Sequence, residues 1–318
     1  MTRGRDGLSR REFVALGGAA ALTASGLGPL SASAAQARRL VPRDRIGIQL
    51  FTLRTTAERD LPGTLEYLAR LGYRKLEVAG LFGRTPAEFR RLVDDNGLRV
   101  IAGHQLVGPS LEGFFGAREV EDALDEAQAL GQRYVGTAGI TIPFGIAEGA
   151  GEPQTADRYR ELAELANSWG QAAAARRMRV YLHMHFWEFW RDLGNGDSFA
   201  EILFNRTDPD LVWFEPDLFW MAYDDIDPVP WIRRYQRRFM GFHVKDGVPD
   251  QSGGYFAPGF RDLGHGSLDF RRTFEAIDNT RRHYYIVERD DQPHPRRTAR
   301  IAYTYLRNLQ ARKRRRSN

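Results

Sequence analysis

Arg179-Val180-Tyr181-Leu182-His183 is a short run of β-branched, aromatic and aliphatic residues that closes on a histidine. Runs of this kind recur at Ile46–Leu50, Lys75–Val78, Arg99–His104, Tyr134–Ala138, Val212–Asp217, Gly241–Lys245 and Tyr284–Glu288. Longer stretches with helical patterning separate them, and this alternation is the signature of βαβ units on a parallel sheet. Some helix ends are readable. Thr85-Pro86-Ala87-Glu88 combines a capping box with proline at the first helical position, and Asn96-Gly97 supplies a stop. Eight strand–helix repeats predict one closed (β/α)8 barrel. Two doubly wound domains are the competing architecture, but no G-x-G-x-x-G fingerprint follows the first run.

The 318 residues are 42% hydrophobic, enough to bury a large single core. With no cysteine, disulfides, thiolate metal sites and cysteine nucleophiles are excluded, so a metal would rest on His, Asp, Glu or water. The formal charge of +5 is concentrated at the ends: residues 1–37 carry a net +2, the last seven residues carry +5, and about −2 remains for the part that folds. A solvated basic tail at 312–318 accounts for this better than a nucleic-acid surface.

At the amino end, Ser9-Arg10-Arg11-Glu12-Phe13-Val14 precedes an uncharged, Gly- and Ala-rich stretch from Ala15 to about Leu30, and then Ser31-Ala32-Ser33-Ala34-Ala35-Gln36-Ala37. A charged region, a weakly apolar region and an A-x-A site in that order resemble a twin-arginine signal, and the stretch is too weakly hydrophobic for a spanning helix. The expected organisation is a signal over 1–37, a barrel over 38–311 and the tail. Export by the Tat pathway to the periplasm or exterior follows, with no membrane span once the leader is cleaved.

In a parallel barrel, chemistry collects at the carboxyl ends of the strands. Gln49, Glu77, His104, His183, His185, Glu215, Asp217, His243, Lys245 and Glu288 all fall at such ends. A strand interior buried on both faces should instead read Val, Ile and Leu, so this set is better explained by a site than by folding. His183, Asp217, His243 and Glu288 come from the second half of the chain. Two imidazoles and two carboxylates without sulfur suit one divalent ion, Mn, Mg, Co, Fe or Zn. Such an ion polarises a carbonyl and acidifies a neighbouring C–H, as enolisation, epimerisation and β-elimination require.

At these residues the chain resembles the xylose isomerase-like TIM-barrel superfamily of sugar phosphate isomerases and epimerases, over roughly Arg45 to Leu309. Val180-Tyr181-Leu182-His183-Met184-His185-Phe186-Trp187-Glu188-Phe189 is similar to its Y-H-N-H-x-F-E-F signature, and Phe214-Glu215-Pro216-Asp217-Leu218-Phe219-Trp220 to its E-x-D-x-x-W stretch. Phe242-His243-Val244-Lys245-Asp246 resembles H-V-K-D, Val287-Glu288 the final strand, and Ile48-Gln49-Leu50-Phe51-Thr52-Leu53-Arg54 the opening I-Q-L-Y-S-x-R. The resemblance implies Asp217, His243 and Glu288 as ligands, with His183 where better-known epimerases carry a glutamate. Met184 stands in place of the signature Asn, and His265 where the family loop usually has Glu.

The expected function is therefore an exported, metal-dependent sugar isomerase, epimerase or dehydratase/lyase that abstracts a proton next to a carbonyl. Glu288, Lys245 and His185 are the expected catalytic groups, and Gln49, Glu77, His104 and Trp220 the substrate contacts. Lys245 lies two residues beyond His243, so alternation aims it at the same site, where a nearby cation would lower its pKa; a salt bridge with Asp246 or another acid is the alternative. Phe186, Trp187, Trp190, Trp213 and Phe219 are further aromatics that could stack on a sugar beside the site. Export points away from phosphorylated substrates, toward free sugars, keto-sugars or polyols, oxidised first by an exported sugar oxidoreductase. A non-catalytic periplasmic sugar-binding scaffold and a metal-dependent endonuclease are the other readings. The first does not explain the retained ligand set, and the second requires more His and Glu ligands and a basic folded part.

Overall fold

Each strand of the sheet is short and buried along nearly its whole length, which is what a sheet covered on both faces demands. The computed structural model describes residues 38–108, 118–139, 154–190, 197–254, 258–291 and 293–312. The signal expected over 1–37 and most of the basic tail lie outside them. Eight parallel strands, β1 (Ile46–Gln49), β2 (Lys75–Val78), β3 (Arg99–Leu106), β4 (Tyr134–Thr137), β5 (Arg179–Met184), β6 (Val212–Pro216), β7 (Gly241–Val244) and β10 (Tyr284–Val287), pair in the order β6-β5-β4-β3-β2-β1-β10-β7. Between β6 and β7 the ring is drawn together by isolated bridges at Phe214–Phe239 and Asp217–His243 and by the Met240 amide, which donates to the Phe214 carbonyl at 3.0 Å. The expected (β/α)8 barrel is therefore present, nearly closed.

The helices between strands obey local chemistry. Leu61–Leu71 starts where Asp60 accepts from the Gly63 amide and ends at Gly72, whose φ of +111° suits glycine. Pro86–Asp95 starts on the Thr85/Glu88 capping box and stops at Asn96-Gly97, as the sequence predicts. The longest, Ala156–Ala175, is capped by Thr155. One element is unforeseen. Just after β7, β8 (Asp246–Gly247) pairs antiparallel with β9 (Phe260–Arg261), apart from the barrel sheet.

Period-two alternation gives the barrel interior its vertical order. Tyr181 and His183 share a face of β5, Trp213 and Glu215 a face of β6, and Tyr284, Ile286 and the following Glu288 a face of β10. Ile101, Tyr134, Tyr181, Trp213, Met240, Tyr284 and Ile286 form one buried cluster. An aromatic plug therefore fills the amino-terminal half, and the polar residues continue the same rows toward the carboxyl ends. Among the described residues no helix is long and apolar enough to cross a membrane.

Candidate active site

His243 is the hinge of the site. Its Nε2 lies 2.5 Å from Glu77 Oε2 and 3.0 Å from Glu215 Oε2, while its Nδ1 lies 2.9 Å from Glu288 Oε2 and 3.9 Å from Asp217 Oδ2. His183 is arranged in parallel, with Nδ1 3.1 Å from Glu215 Oε2 and Nε2 3.9 Å from Asp217 Oδ2. Glu215 therefore stands behind both imidazoles, and their other nitrogens face the same Asp217 oxygen. A carboxylate behind a histidine fixes its tautomer and ring orientation, the usual support for an imidazole that ligates a metal. In the sequence Glu215 reads only as a strand-end acid; its role depends on the register that pairs His183 with Glu215 across β5 and β6.

The four expected ligands are brought into one neighbourhood. Asp217, His243 and Glu288 each offer an atom within 4.8 Å of the others, and so do His183, His185 and Asp217, so Asp217 joins the two sets. The donors fit a divalent ion on two grounds. Asp217 Oδ2 and His243 Nδ1 are buried 3.9 Å apart and are met by Lys245 Nζ and Glu288 Oε2 as ion-pair partners, so a carboxylate oxygen and an imidazole nitrogen converge where a divalent ion could take the place of those contacts. Charge is also unbalanced: Glu77 and Glu215 press on His243, and Asp217, Glu288 and Asp290 on Lys245, so five carboxylates stand against one imidazole and one ammonium. Burial and the adjoining His243 hold His183 down to about 3, and His185 is likewise held well below the imidazole range, first by burial. Neither ring adds positive charge near neutrality. Burial alone lowers His243, but Glu215, Glu77 and Glu288 carry it well above the usual value.

Lys245 differs from expectation. Its Nζ lies 2.7 Å from Glu288 Oε2, 3.0 Å from Asp217 Oδ2 and 3.1 Å from Asp290 Oδ1. Burial lowers its pKa, yet Asp217, Asp290 and Glu288 raise it well above the ordinary lysine value. In this arrangement it is a cation and a proton donor, not a neutral base. Asp246, the alternative partner, turns away to accept from the Gly264 and Gly266 amides. Asp290, three residues past β10, was not singled out in the sequence because it lies beyond the strand pattern.

The expected substrate contacts divide. Gln49 donates to Glu77 Oε2 at 3.1 Å and accepts from the Phe51 amide, so both ends of its amide are occupied. Glu77 receives Gln49, the Tyr181 hydroxyl and His243, which makes it a buried brace for the imidazole. His104 turns Nε2 toward the same carboxylates, 3.7 Å from Glu77 Oε1 and 3.9 Å from Glu215 Oε2, and also lines a cavity of about 410 Å³ with Gln105, Arg84 and Arg118. Trp220 is buried with its ring 5.2 Å from His185 and 5.9 Å from Lys245 Nζ. His185 Nε2 lies 3.1 Å from His183 Nε2. The turn that carries His185 is held by Glu188, which accepts from the His185 amide and is pushed up to about 8 by burial. Phe186, Trp187 and Phe219 pack with Trp220 in one aromatic cluster, and Trp190 donates to Asp224. Trp213 departs from expectation altogether. It belongs to the aromatic plug, because alternation along β6 places it two residues below Glu215, toward the opposite end of the barrel.

Comparison with known proteins places the fold. The chain is 25% identical over 254 residues to the inosose dehydratase of Klebsiella pneumoniae, covering 71% of this chain and 81% of that one. It spans about half the length (49%) of the Clostridium botulinum inosose dehydratase, at 27% identity and 43% of this chain. The structure of a sugar phosphate isomerase/epimerase from Parabacteroides distasonis superposes with a TM-score of 0.67 at 22% identity, covering 83% of this chain and 98% of the other, which speaks for the fold. Residues 65–309 match the xylose isomerase-like TIM barrel family, and the chain belongs to that family.

Proposed function

We propose that the chain is a divalent-metal-dependent enzyme that removes a proton next to the carbonyl of a keto-sugar or keto-polyol and that elimination of a β-hydroxyl, rather than epimerisation, is its main outcome. The observation that carries the metal is the pair of imidazole nitrogens, His183 Nε2 and His243 Nδ1, each 3.9 Å from Asp217 Oδ2 with Glu215 behind both rings. His183, Asp217, His243 and Glu288 would hold the ion. Bound there, it would polarise a carbonyl and an adjacent hydroxyl and acidify the C–H beside them.

The rest follows from the chain's own groups. Epimerisation needs proton acceptors on two faces of one carbon, and here the fifth-strand position offers a ligand imidazole in place of a second carboxylate. Elimination needs one base and one acid. Glu288 or His185 takes the proton from carbon, and Lys245, 2.7 Å from Glu288, donates to the oxyanion or the departing hydroxyl. Similarity to inosose dehydratases supports the same choice.

Residues 1–37 are proposed to direct Tat export, which favours unphosphorylated substrates supplied in keto form by a separate sugar oxidoreductase. Replacing Arg10 and Arg11 by lysine should leave precursor in the cytoplasm; unchanged fractionation counts against export. For the chemistry, metal-loaded protein is incubated with keto-polyols and keto-glycosides in deuterium oxide. The expected product is a conjugated enone, detected by ultraviolet absorbance and NMR. A deuterated epimer with no enone would replace elimination by epimerisation.

A further inference from the structure

A group of arginines gathers at the end of the barrel opposite the site. Alternation explains the start of the pattern: Arg179 precedes Tyr181 and His183 on one row of β5, and Arg282 precedes Tyr284, Ile286 and Glu288 on the row of β10. These arginines, with Arg45, Arg133 and Arg237, line a cavity of about 640 Å³ at the amino ends of the strands, whose only acidic lining residue among those described is Asp210. A neighbouring cavity of about 340 Å³ shares Arg133 and adds Lys75 and Arg99. Arginines at this end could simply neutralise helix carboxyl ends, and Arg238 does so by donating to the Phe204 and Thr207 carbonyls. Arg133 and Arg179 do not. Among the described residues their side chains meet no carboxylate or carbonyl, and they lie over the rings of Tyr134 and Trp213 at 5.5 and 5.1 Å. Arg282 is also over Trp213, at 5.5 Å.

A second observation is independent of charge. Trp213 is 8% exposed, it lines this cavity, and its buried indole N–H has no hydrogen-bond acceptor. A buried donor left without an acceptor costs free energy that a ligand atom would recover.

From the guanidinium groups of Arg133 and Arg179, which meet no acceptor among the described residues, beside Arg282, which donates to the Arg237 carbonyl, over an aromatic floor with an unmet N–H donor, we propose that the amino-terminal mouth of the barrel is a second binding site, for a small anion carrying several phosphate or carboxylate groups. The cavity has the size of a small-molecule site. Guanidinium forks match both oxyanions, commonly with two hydrogen bonds each.

The test is calorimetric titration of the full, metal-loaded chain with pyrophosphate and with benzene-1,3,5-tricarboxylate, which separate phosphate from carboxylate chemistry. At least one should bind. Arg179→Gln with Arg282→Gln should weaken it roughly tenfold or more, the scale of losing charged hydrogen bonds, while sugar turnover and the charge-matched pair Arg297→Gln with Arg300→Gln stay near wild type. Trp213→Phe keeps a ring and removes the donor; it should weaken binding by a smaller factor, and in the wild type the Trp213 indole NMR signal should shift on titration, so the proposal remains testable if the double variant fails to fold. Equal affinity in wild type and the Arg179/Arg282 variant, equal loss in the charge-matched control, or binding only to a long polyanion such as heparin would each overturn it.

Discussion

The two mouths of this barrel carry opposite electrical imbalances. At the carboxyl ends of the strands, Glu77, Glu215, Asp217, Glu288 and Asp290 converge on one lysine and on imidazoles, two of which stay neutral. At the amino ends, arginines stand over tyrosine and tryptophan rings with Asp210 as the sole lining acid among the described residues. Each buried or half-buried excess opposes folding unless an ion of the other sign joins it. Inverted charge at the two ends of the same inward rows teaches that a near-neutral balance over the folded part can conceal two local excesses of opposite sign. The carboxyl end is the more deeply buried, so its variants should show the larger effects.

The largest is expected from Asp217→Ala, which removes the oxygen both imidazoles face. Metal and turnover should fall together to background, measured by elemental analysis and product assay, and a variant that keeps its metal would place the ligand set elsewhere. Lys245→Met comes next. It should retain metal while turnover drops by roughly 10²–10⁴-fold, the range for losing a general acid or base. His185→Asn sharpens this: with His185 Nε2 3.1 Å from His183 Nε2, loss of metal on this substitution would make His185 a ligand, and loss of turnover with metal intact would make it the proton carrier. Glu215→Gln is milder. Taking the charge from behind His183 and His243 should weaken metal binding by about 10–100-fold, as second-layer changes do.

The last concerns stability and the amino-terminal end, and it emerges only as the pH falls. His283, one residue before β10, is buried with Nδ1 3.0 Å from the Phe239 carbonyl, and burial holds it down to about 4. Its folded pKa lies below the unfolded value near 6.5, so the unfolded chain takes up protons first as pH falls. The contribution is complete above about pH 6.5 and is lost as pH falls toward 4, in total on the order of 3 kcal/mol. Chemical denaturation of wild type and His283→Gln at several pH values checks it. The variant should lack that part of the decline, and parallel curves would contradict the assignment.

Much of the carboxyl end was legible in the sequence. Strand periodicity alone placed His183, Asp217, His243, Lys245 and Glu288 at strand ends, and the barrel that unites them follows from the repeat. What was not legible depends on register and rotamer. Whether Gln49 meets substrate or Glu77, and whether Glu215 is a rim acid or the support of two rings, is set by cross-strand pairing that no single run encodes. Trp213 misleads for a related reason: counted from the motif it sits beside the site, but two residues of strand carry it about 6.6 Å toward the other mouth. The arginines were visible one by one, and only the closed ring brings them to a common cavity.

The carboxylate excess at the carboxyl-terminal mouth is proposed to be a divalent-metal site built on His183, Asp217, His243 and Glu288. Elemental analysis of the full chain, purified without chelator and titrated with Mn, Mg, Co, Fe and Zn salts, tests it directly beside the Asp217→Ala variant. Close to one tightly held ion per wild-type chain and none in the variant is the expected result. A wild-type chain that retains no divalent ion, or a variant that binds equally well, would contradict it.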